Sequence, residues 1–345
     1  MKVTIKDIAE KAGVSKTAVS FAFNNPQRIS KSTYKKIMDI AREVGYAPDP
    51  VARILAKRHT STIGLLLPQT LTEVFENPYM AELVRGIGHV CELESLTLML
   101  ISPKKGIITH SIQSAAVDGM IAVGVSFQSE VHEAFRQRQM PYVTIDASNS
   151  SDYLNVGIDN ESTAKRLMDL LLDLGHRKIC FCALNPIAKD LDIHESSFTM
   201  TARQKGIMQS VKQHNITKET QNKFSFVEIG VSINSAYKLA KEELQKKDRP
   251  TAIYCMADGQ AFGFYRAAQE LGIKIPDELS IVSFDDLPIN KALYPELTCI
   301  HQPGYEKGIA AAQLLVDQIA GKDCTSIIIP AHIKNRESTA PCNLE

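Results

Sequence analysis

From Thr62 onward the chain alternates short apolar runs with amphipathic stretches, and this alternation restricts the fold more than any other feature. Runs of strand length fall at 62–67, 96–101, 118–123, 141–145, 154–158, 178–183, 224–229, 251–255, 279–284, 297–301 and 326–329. Between them, helical periodicity recurs near 79–93, 160–174, 201–213, 233–246, 258–271 and 304–320. Several runs are apolar at successive residues, so both faces of those strands are buried, as in a parallel sheet covered by helices. About eleven strands exceed one ordinary open sheet. The pattern predicts an α/β body of two doubly wound parallel-sheet lobes. No internal repeat or low-complexity tract interrupts it.

The first 46 residues read differently, as three short helices. Thr4 and Asp7 have the spacing of a capping box, and Ile5, Ile8, Ala9 and Ala12 follow helical period. Gly13 allows a left-handed stop. A second helix restarts at Ser15, with Ala18, Val19 and Ala22 inward, and Asn24-Asn25-Pro26 ends it. A third begins near Ser30, carries Tyr34, Ile37, Ile40, Ala41 and Val44, and breaks at Gly45. Helix, glycine turn, helix and supporting helix make a helix-turn-helix head. The second helix then faces the major groove. Lys16, Thr17, Ser20 and Phe21 point outward as candidate DNA contacts, and Thr4 and Ser15 at the helix starts complete the set. A purely structural reading makes these the polar surface of a small helical bundle. A fourth helix of two turns follows Asp49-Pro50 and is too short to stand alone in water.

Charge agrees with a nucleic-acid-binding head. Formal net charge is zero, yet residues 1–60 hold 12 Lys/Arg against 5 Asp/Glu, and the remaining 285 hold 27 against 34. The seven cysteines are scattered without a C-x-x-C. Cys180 and Cys182 alternate along an apolar run and share one strand face, which suits buried reduced thiols rather than a disulfide framework or zinc site. The longest apolar runs, such as Ile63–Leu67, are too short to span a bilayer, and the N-terminus has no signal-peptide stretch. The expectation is a cytoplasmic protein with no membrane partner, metal or cofactor.

Specific motifs then carry a resemblance. Thr4-Ile5-Lys6-Asp7-Ile8-Ala9, Ala12-Gly13-Val14-Ser15, Val19-Ser20, Gly45-Tyr46-Ala47-Pro48 and Val51-Ala52-Arg53-Ile54-Leu55 resemble the head and hinge of the lactose-repressor (LacI/GalR) family. In the body, Thr62-Ile63-Gly64-Leu65, Asn77-Pro78-Tyr79, Arg85-Gly86-Ile87, Val117-Asp118-Gly119-Met120-Ile121, Leu174-Gly175-His176-Arg177-Lys178-Ile179, Ser283-Phe284-Asp285-Asp286 and Arg336-Glu337-Ser338-Thr339-Ala340-Pro341 continue it in order. The resemblance covers essentially the whole chain. It implies a DNA-binding domain at 1–47, a hinge helix and linker at 48–61, and an effector-binding and dimerisation domain at 62–345. The body is expected to be periplasmic-binding-protein-like, with three crossovers; lobe 1 takes about 62–159 and 297–321, lobe 2 about 160–292 and 325–345.

The resemblance further implies a repressor that acts as a homodimer or dimer of dimers on pseudo-palindromic operator DNA. Leu55 becomes a minor-groove wedge, flanked by Ala52 and Ala56, with Lys57 in the same segment. The bland reading leaves Leu55 an ordinary linker leucine. Arg203 matches an effector-clamping arginine, and Asp285 an acid that bonds effector hydroxyls or amines; the alternative is that the two serve as scaffold. Asp258 opens a helix, a position that caps more often than it binds, and Tyr79 and Ser162 line the cleft by position. Two departures stand out. Phe21 replaces a usual arginine and cannot donate to a guanine edge, and Ala257 replaces an effector-contacting asparagine. The implied effector is small and polar: a sugar, sugar phosphate or nucleoside-like molecule. A body that answers to a protein partner is the rival reading. An enzyme is disfavoured, since the adjacent pair Asp285-Asp286 suits acid–base work poorly on a strand and no Gly-x-Ser-x-Gly, Walker loop or His-Glu-x-x-His occurs.

Overall fold

A computed structural model describes residues 3–48, 54, 59–67, 70–103, 107–124, 129–148, 152–184, 198–221 and 223–343. The chain forms two compact units, Met1–Thr60 and Ser61–Glu345. Among the described residues no helix is long and apolar enough to cross a membrane.

The first unit contains α1 (Ile5–Ala12), α2 (Lys16–Asn24) and α3 (Lys31–Glu43), with a 3-10 turn at Pro26–Arg28. Local chemistry sets each boundary. The Asp7 carboxylate accepts from the Thr4 backbone N–H and hydroxyl, both at 2.8 Å. Gly13 turns the chain at φ 62°, a conformation glycine adopts at no steric cost. Ser15 and Ser30 cap α2 and α3 by accepting from the N–H groups of Ala18 and Thr33. Ile8, Ala9, Ala12, Val19, Ala22, Ile37 and Ala41 form a small core. On α3, Tyr34 is 37% exposed.

The second unit runs β1 (Thr62–Leu66), α4 (Leu71–Val74), α5 (Tyr79–Leu93), β2 (Thr97–Ile101), α6 (Ile108–Ser114), β3 (Gly119–Val123), α7 (Ser129–Arg138), β4 (Tyr142–Ile145) and β5 (Leu154–Gly157). It continues with α8 (Asn160–Asp173), β6 (Ile179–Leu184), α9 (Phe198–Gln213), α10 (Lys218–Gln221), β7 (Ser225–Ile229), α11 (Ile233–Leu244), β8 (Ala252–Cys255), α12 (Asp258–Leu271) and β9 (Ser280–Asp285). After a 3-10 turn at Pro288–Ala292 come β10 (Thr298–His301), α13 (Gly304–Ile319), β11 (Ile327–Ile328) and β12 (His332–Lys334). The strands form two six-stranded sheets, ordered β11-β5-β4-β3-β1-β2 and β12-β10-β9-β8-β6-β7. Among the described residues, all pairings are parallel except that of β10 with the edge strand β12. Cys180 and Cys182 point to one face of β6 and are buried thiols, while Phe181 between them packs into the core of the opposite face.

The lobes divide differently from the expectation at the C-terminal end. Thr298–His301, expected in lobe 1, pairs with Val282–Asp285 and so belongs to the second sheet. Ile327–Ile328, expected in lobe 2, pairs with Val156–Gly157 in the first. Only α13 from the stretch 297–321 joins lobe 1, where it packs on α5, β3, β4 and β5. The chain therefore crosses between lobes three times: between β5 and α8, between β10 and α13, and between β11 and β12.

Candidate nucleic-acid interface and ligand cleft

The head presents α2 as a short helix with an open polar face. Lys16 and Thr17 are exposed in its first turn, and Ser20 and Phe21 are half-buried one turn later. Ser15 spends its hydroxyl on the cap, and Thr4 spends its own on Asp7. The Asn24 side chain donates to the Ser20 carbonyl at 3.0 Å. The Phe21 ring is half-buried, and the Arg28 guanidinium carbon lies 5.4 Å from its centroid. The 3-10 turn thus brings an arginine beside the position where the side chain itself cannot donate. Ala52, Leu55 and Lys57 lie outside the described residues.

In the body, close helix crossings build the cleft. Gly86 on α5 and Gly308 on α13 meet where a Cβ on Gly86 would stand 2.0 Å from the Tyr305 carbonyl oxygen. This contact sets Tyr79, at the start of α5, against the start of α13. A Cβ on Gly206 would stand 2.0 Å from the Glu161 carbonyl oxygen, so α9 lies directly on α8 and carries Arg203 to Asn160.

Arg203 is 3% exposed. Its Nε donates to Asn160 Oδ1 (2.9 Å), one terminal nitrogen to the Met256 carbonyl (2.8 Å) and the other to Gln302 Oε1 (3.2 Å). The guanidinium lies over the Phe284 ring, 3.8 Å from the centroid. Asp285 ends β9 at φ 115°, a backbone conformation rarely held by a side-chain-bearing residue and a form of strain that clusters at binding sites. Its carboxylate accepts from Gln302 Nε2 (2.9 Å) and from the Asp258 N–H (3.3 Å). Arg203 and Asp285 are therefore joined through Gln302. From the other lobe, Lys307 donates to both oxygens of Asp146 (2.6 and 2.9 Å) and to Gln302 Oε1 (3.1 Å). The Tyr79 hydroxyl reaches Asp146 at 3.5 Å.

Burial governs the electrostatics. Desolvation pushes the Asp285 carboxyl well up, with Asp258 adding repulsion and Arg203 opposing. Desolvation lowers Arg203 and Lys307, opposed by Asp285 and Asp146 respectively. The Tyr79 hydroxyl is raised by burial and then by Asp146.

Two expected residues stand apart. Asp258 is fully buried, and its carboxylate accepts from Ser283, from the Leu287 N–H (2.8 Å) and from Asn290 Nδ2 (2.9 Å). Burial raises it to about 6. It pins the segment after β9 instead of facing the cleft. Ser162 is exposed, and its N–H is capped by Asp159 at 3.0 Å. Positions two apart on a helix point about 200° from each other, so Asn160, not Ser162, is the α8 residue that reaches Arg203. Asn160, Asp146, Gln302 and Lys307 were not anticipated from sequence.

Beside this network lies a cavity of about 520 Å³, lined from lobe 1 by Asp146 and Asn155 and from lobe 2 by Asn160, Phe198, Thr201 and Lys205. Its size suits a small molecule. It sits at the carboxyl ends of β4 and β5, where open α/β sheets bind ligands.

Comparison with known proteins bears on the whole chain. Residues 4–49 match the bacterial regulatory proteins of the lacI family, and residues 168–339 match a periplasmic binding protein-like domain. The HTH-type transcriptional repressor PurR of Pectobacterium carotovorum subsp. carotovorum (strain PC1) is 30% identical over 337 residues, 95% of this chain and 94% of the relative. Catabolite control protein A of Priestia megaterium is 28% identical over 98% of this chain and all of the relative. The lac repressor dimer bound to operator and the anti-inducer ONPF aligns with a TM-score of 0.80 at 21% identity, over 99% of this chain and 100% of that one. A LacI family regulator from Enterococcus faecium with bound ribose aligns with a TM-score of 0.69 at 25% identity, over 82% of this chain and 100% of that one. With its helix-turn-helix head and two-lobed body matched end to end, the chain belongs to the lacI family of bacterial regulatory proteins and is a DNA-binding transcription regulator.

Proposed function

We propose that this regulator is a repressor that binds an inverted-repeat operator as a homodimer and answers to a small polar effector held between its lobes. The effector is a sugar, sugar phosphate or nucleoside-like molecule. The observation that carries the reading is the junction of Arg203 and Asp285 beside a cavity lined by polar groups from both lobes. A planar guanidinium and a carboxylate suit a ligand rich in hydroxyls or ring nitrogens. The ribose held by the Enterococcus faecium protein is of that class. Residues 48–61 act as the hinge, with Leu55 as the minor-groove wedge and Ala52 and Lys57 beside it.

The test pairs Arg203→Ala and Asp285→Asn with the parent chain in thermal-shift screens of sugars, sugar phosphates, nucleosides and purines. A compound that raises the parent's Tm should bind each variant about ten- to a hundredfold more weakly, the equivalent of about 1.5–3 kcal/mol. Parent-like affinity in either variant makes that residue scaffold. Selection from a randomised duplex pool should enrich an inverted repeat, and Leu55→Ala should reduce affinity and bending together.

A further inference from the structure

Lys307 is a fully buried lysine on the packed stripe of α13, between Gly304, Gly308 and Ala311. An amphipathic helix ordinarily places an apolar residue there. A buried ammonium is costly unless paired and fully hydrogen-bonded. Here its three donors match three acceptors: the two oxygens of Asp146 and Oε1 of Gln302. Gln302 stands in the crossover between β10 and α13. Its oxygen also accepts from Arg203, and its nitrogen donates to Asp285. Lys307 and Asp146 belong to lobe 1, Arg203 and Asp285 to lobe 2. Two basic and two acidic side chains thus meet in the cleft, joined across the lobes by one glutamine. A second tie runs from the Thr199 hydroxyl on α9 to the Asp146 carbonyl, at 3.4 Å.

We propose that Lys307 is a resident counter-ion of Asp146 that ties the two lobes through Gln302, so that an effector must compete with it for Asp146 and Gln302. This rests on the reading of the cleft as the effector site. Opening the lobes parts Gln302 from Lys307 on one side or from Arg203 and Asp285 on the other, and each parting strips a hydrogen bond from a buried charge. The two lobes are therefore tied by their own side chains. A ligand that enters must replace the bonds it breaks.

The experiment uses the full chain, exhaustively dialysed, with hydrogen exchange at the crossover amides of Gln302 and Gly304 and the radius of gyration from solution scattering. Lys307→Met leaves Asp146 without its cation and is compared with the charge-neutral double variant Lys307→Met/Asp146→Asn. The parent should show one compact radius and slow exchange at both amides. The double variant, folded by circular dichroism, should exchange there at least about tenfold faster and have a larger radius. If Lys307→Met alone unfolds, the double variant decides. A parent already open without ligand, or a double variant with parental exchange and radius, overturns the proposal. Neither readout involves a ligand. Failure here with Arg203→Ala still weakening effector binding sinks the counter-ion alone, whereas the reverse pattern sinks the effector reading.

Discussion

His176 is 3% exposed and engages both ring nitrogens: Nδ1 with Thr251 Oγ1 (3.0 Å), and Nε2 with Ser280 Oγ (2.9 Å) and the Ala340 carbonyl (3.1 Å). It ties the start of β6 to β9 and the C-terminal segment. Desolvation holds its pKa below the ordinary 6.5, against the pull of the Ala340 carbonyl. The unfolded chain protonates this group near 6.5 while the folded chain does not. Its contribution is therefore present above pH 6.5 and is lost as pH falls through the lower folded value. The buried carboxyls Asp258 and Asp285 act in the opposite sense, since their folded pKa values are raised. Denaturant unfolding at pH 7.5 and pH 5 therefore has to be read as a difference between chains. His176→Gln should cost about 1–3 kcal/mol at pH 7.5 through lost buried bonds. It should also lose less stability than the parent on going to pH 5; an equal loss places the pH response elsewhere. At this scale the sequence was readable where a residue acts on its own backbone. Thr4, Gly13, Ser15 and Ser30 announce their caps and turn through neighbours three to five positions away. Lys307 was not readable. In Tyr305-Glu306-Lys307-Gly308 a lysine reads as solvent-facing, and the charge that pairs it, Asp146, is 161 positions away.

At the scale of elements, the cleft depends on helices that touch backbone to backbone. Gly86 and Gly308 allow α5 and α13 to approach until Tyr79 and Lys307 both face Asp146. Gly86→Ala places a methyl group 2.0 Å from the Tyr305 oxygen and 2.9 Å from the Ile309 nitrogen, both backbone atoms that cannot turn aside. Overpacking of this kind costs about 1–3 kcal/mol. Calorimetric melting should show that loss, whereas Gly88→Ala, with open space around it, should be neutral or slightly stabilising. A parental Tm for Gly86→Ala would mean that the two helices are free to slide. The strand–helix alternation was legible because period is a local property. Sheet membership was not: Thr298–His301 and Ile327–Ile328 are both short apolar strands, and each joined the sheet opposite to the one expected. The helices at Ile108–Ser114 and Ser129–Arg138 were missed for a related reason, being short segments without a long apolar stripe.

For the whole molecule the governing quantity is the separation of charge between its parts. The head carries a surplus of seven positive charges in residues 1–60, and the rest of the chain an equal deficit, so the net charge of zero conceals a polyanion-binding end. Each phosphate neutralised by the head releases condensed counterions, and affinity falls as salt rises. A dimer that covers about six phosphates gives a slope of log K against log salt near −5. Lys16 is exposed at the first turn of α2 and tests how that charge is spent. If it meets phosphate, Lys16→Ala should weaken binding evenly across sequences and make the slope shallower by about one unit for each subunit. If it meets a base edge, the variant should keep the slope and relax one position of the selected operator, at a cost of about 1–3 kcal/mol. Fluorescence anisotropy over 50–300 mM salt, on the selected operator and on scrambled duplex, separates the two. A slope near zero for the parent chain would contradict the electrostatic role of the head altogether. It would leave the charge asymmetry as a solvation feature, with recognition resting on Thr17, Ser20 and the Phe21–Arg28 pair.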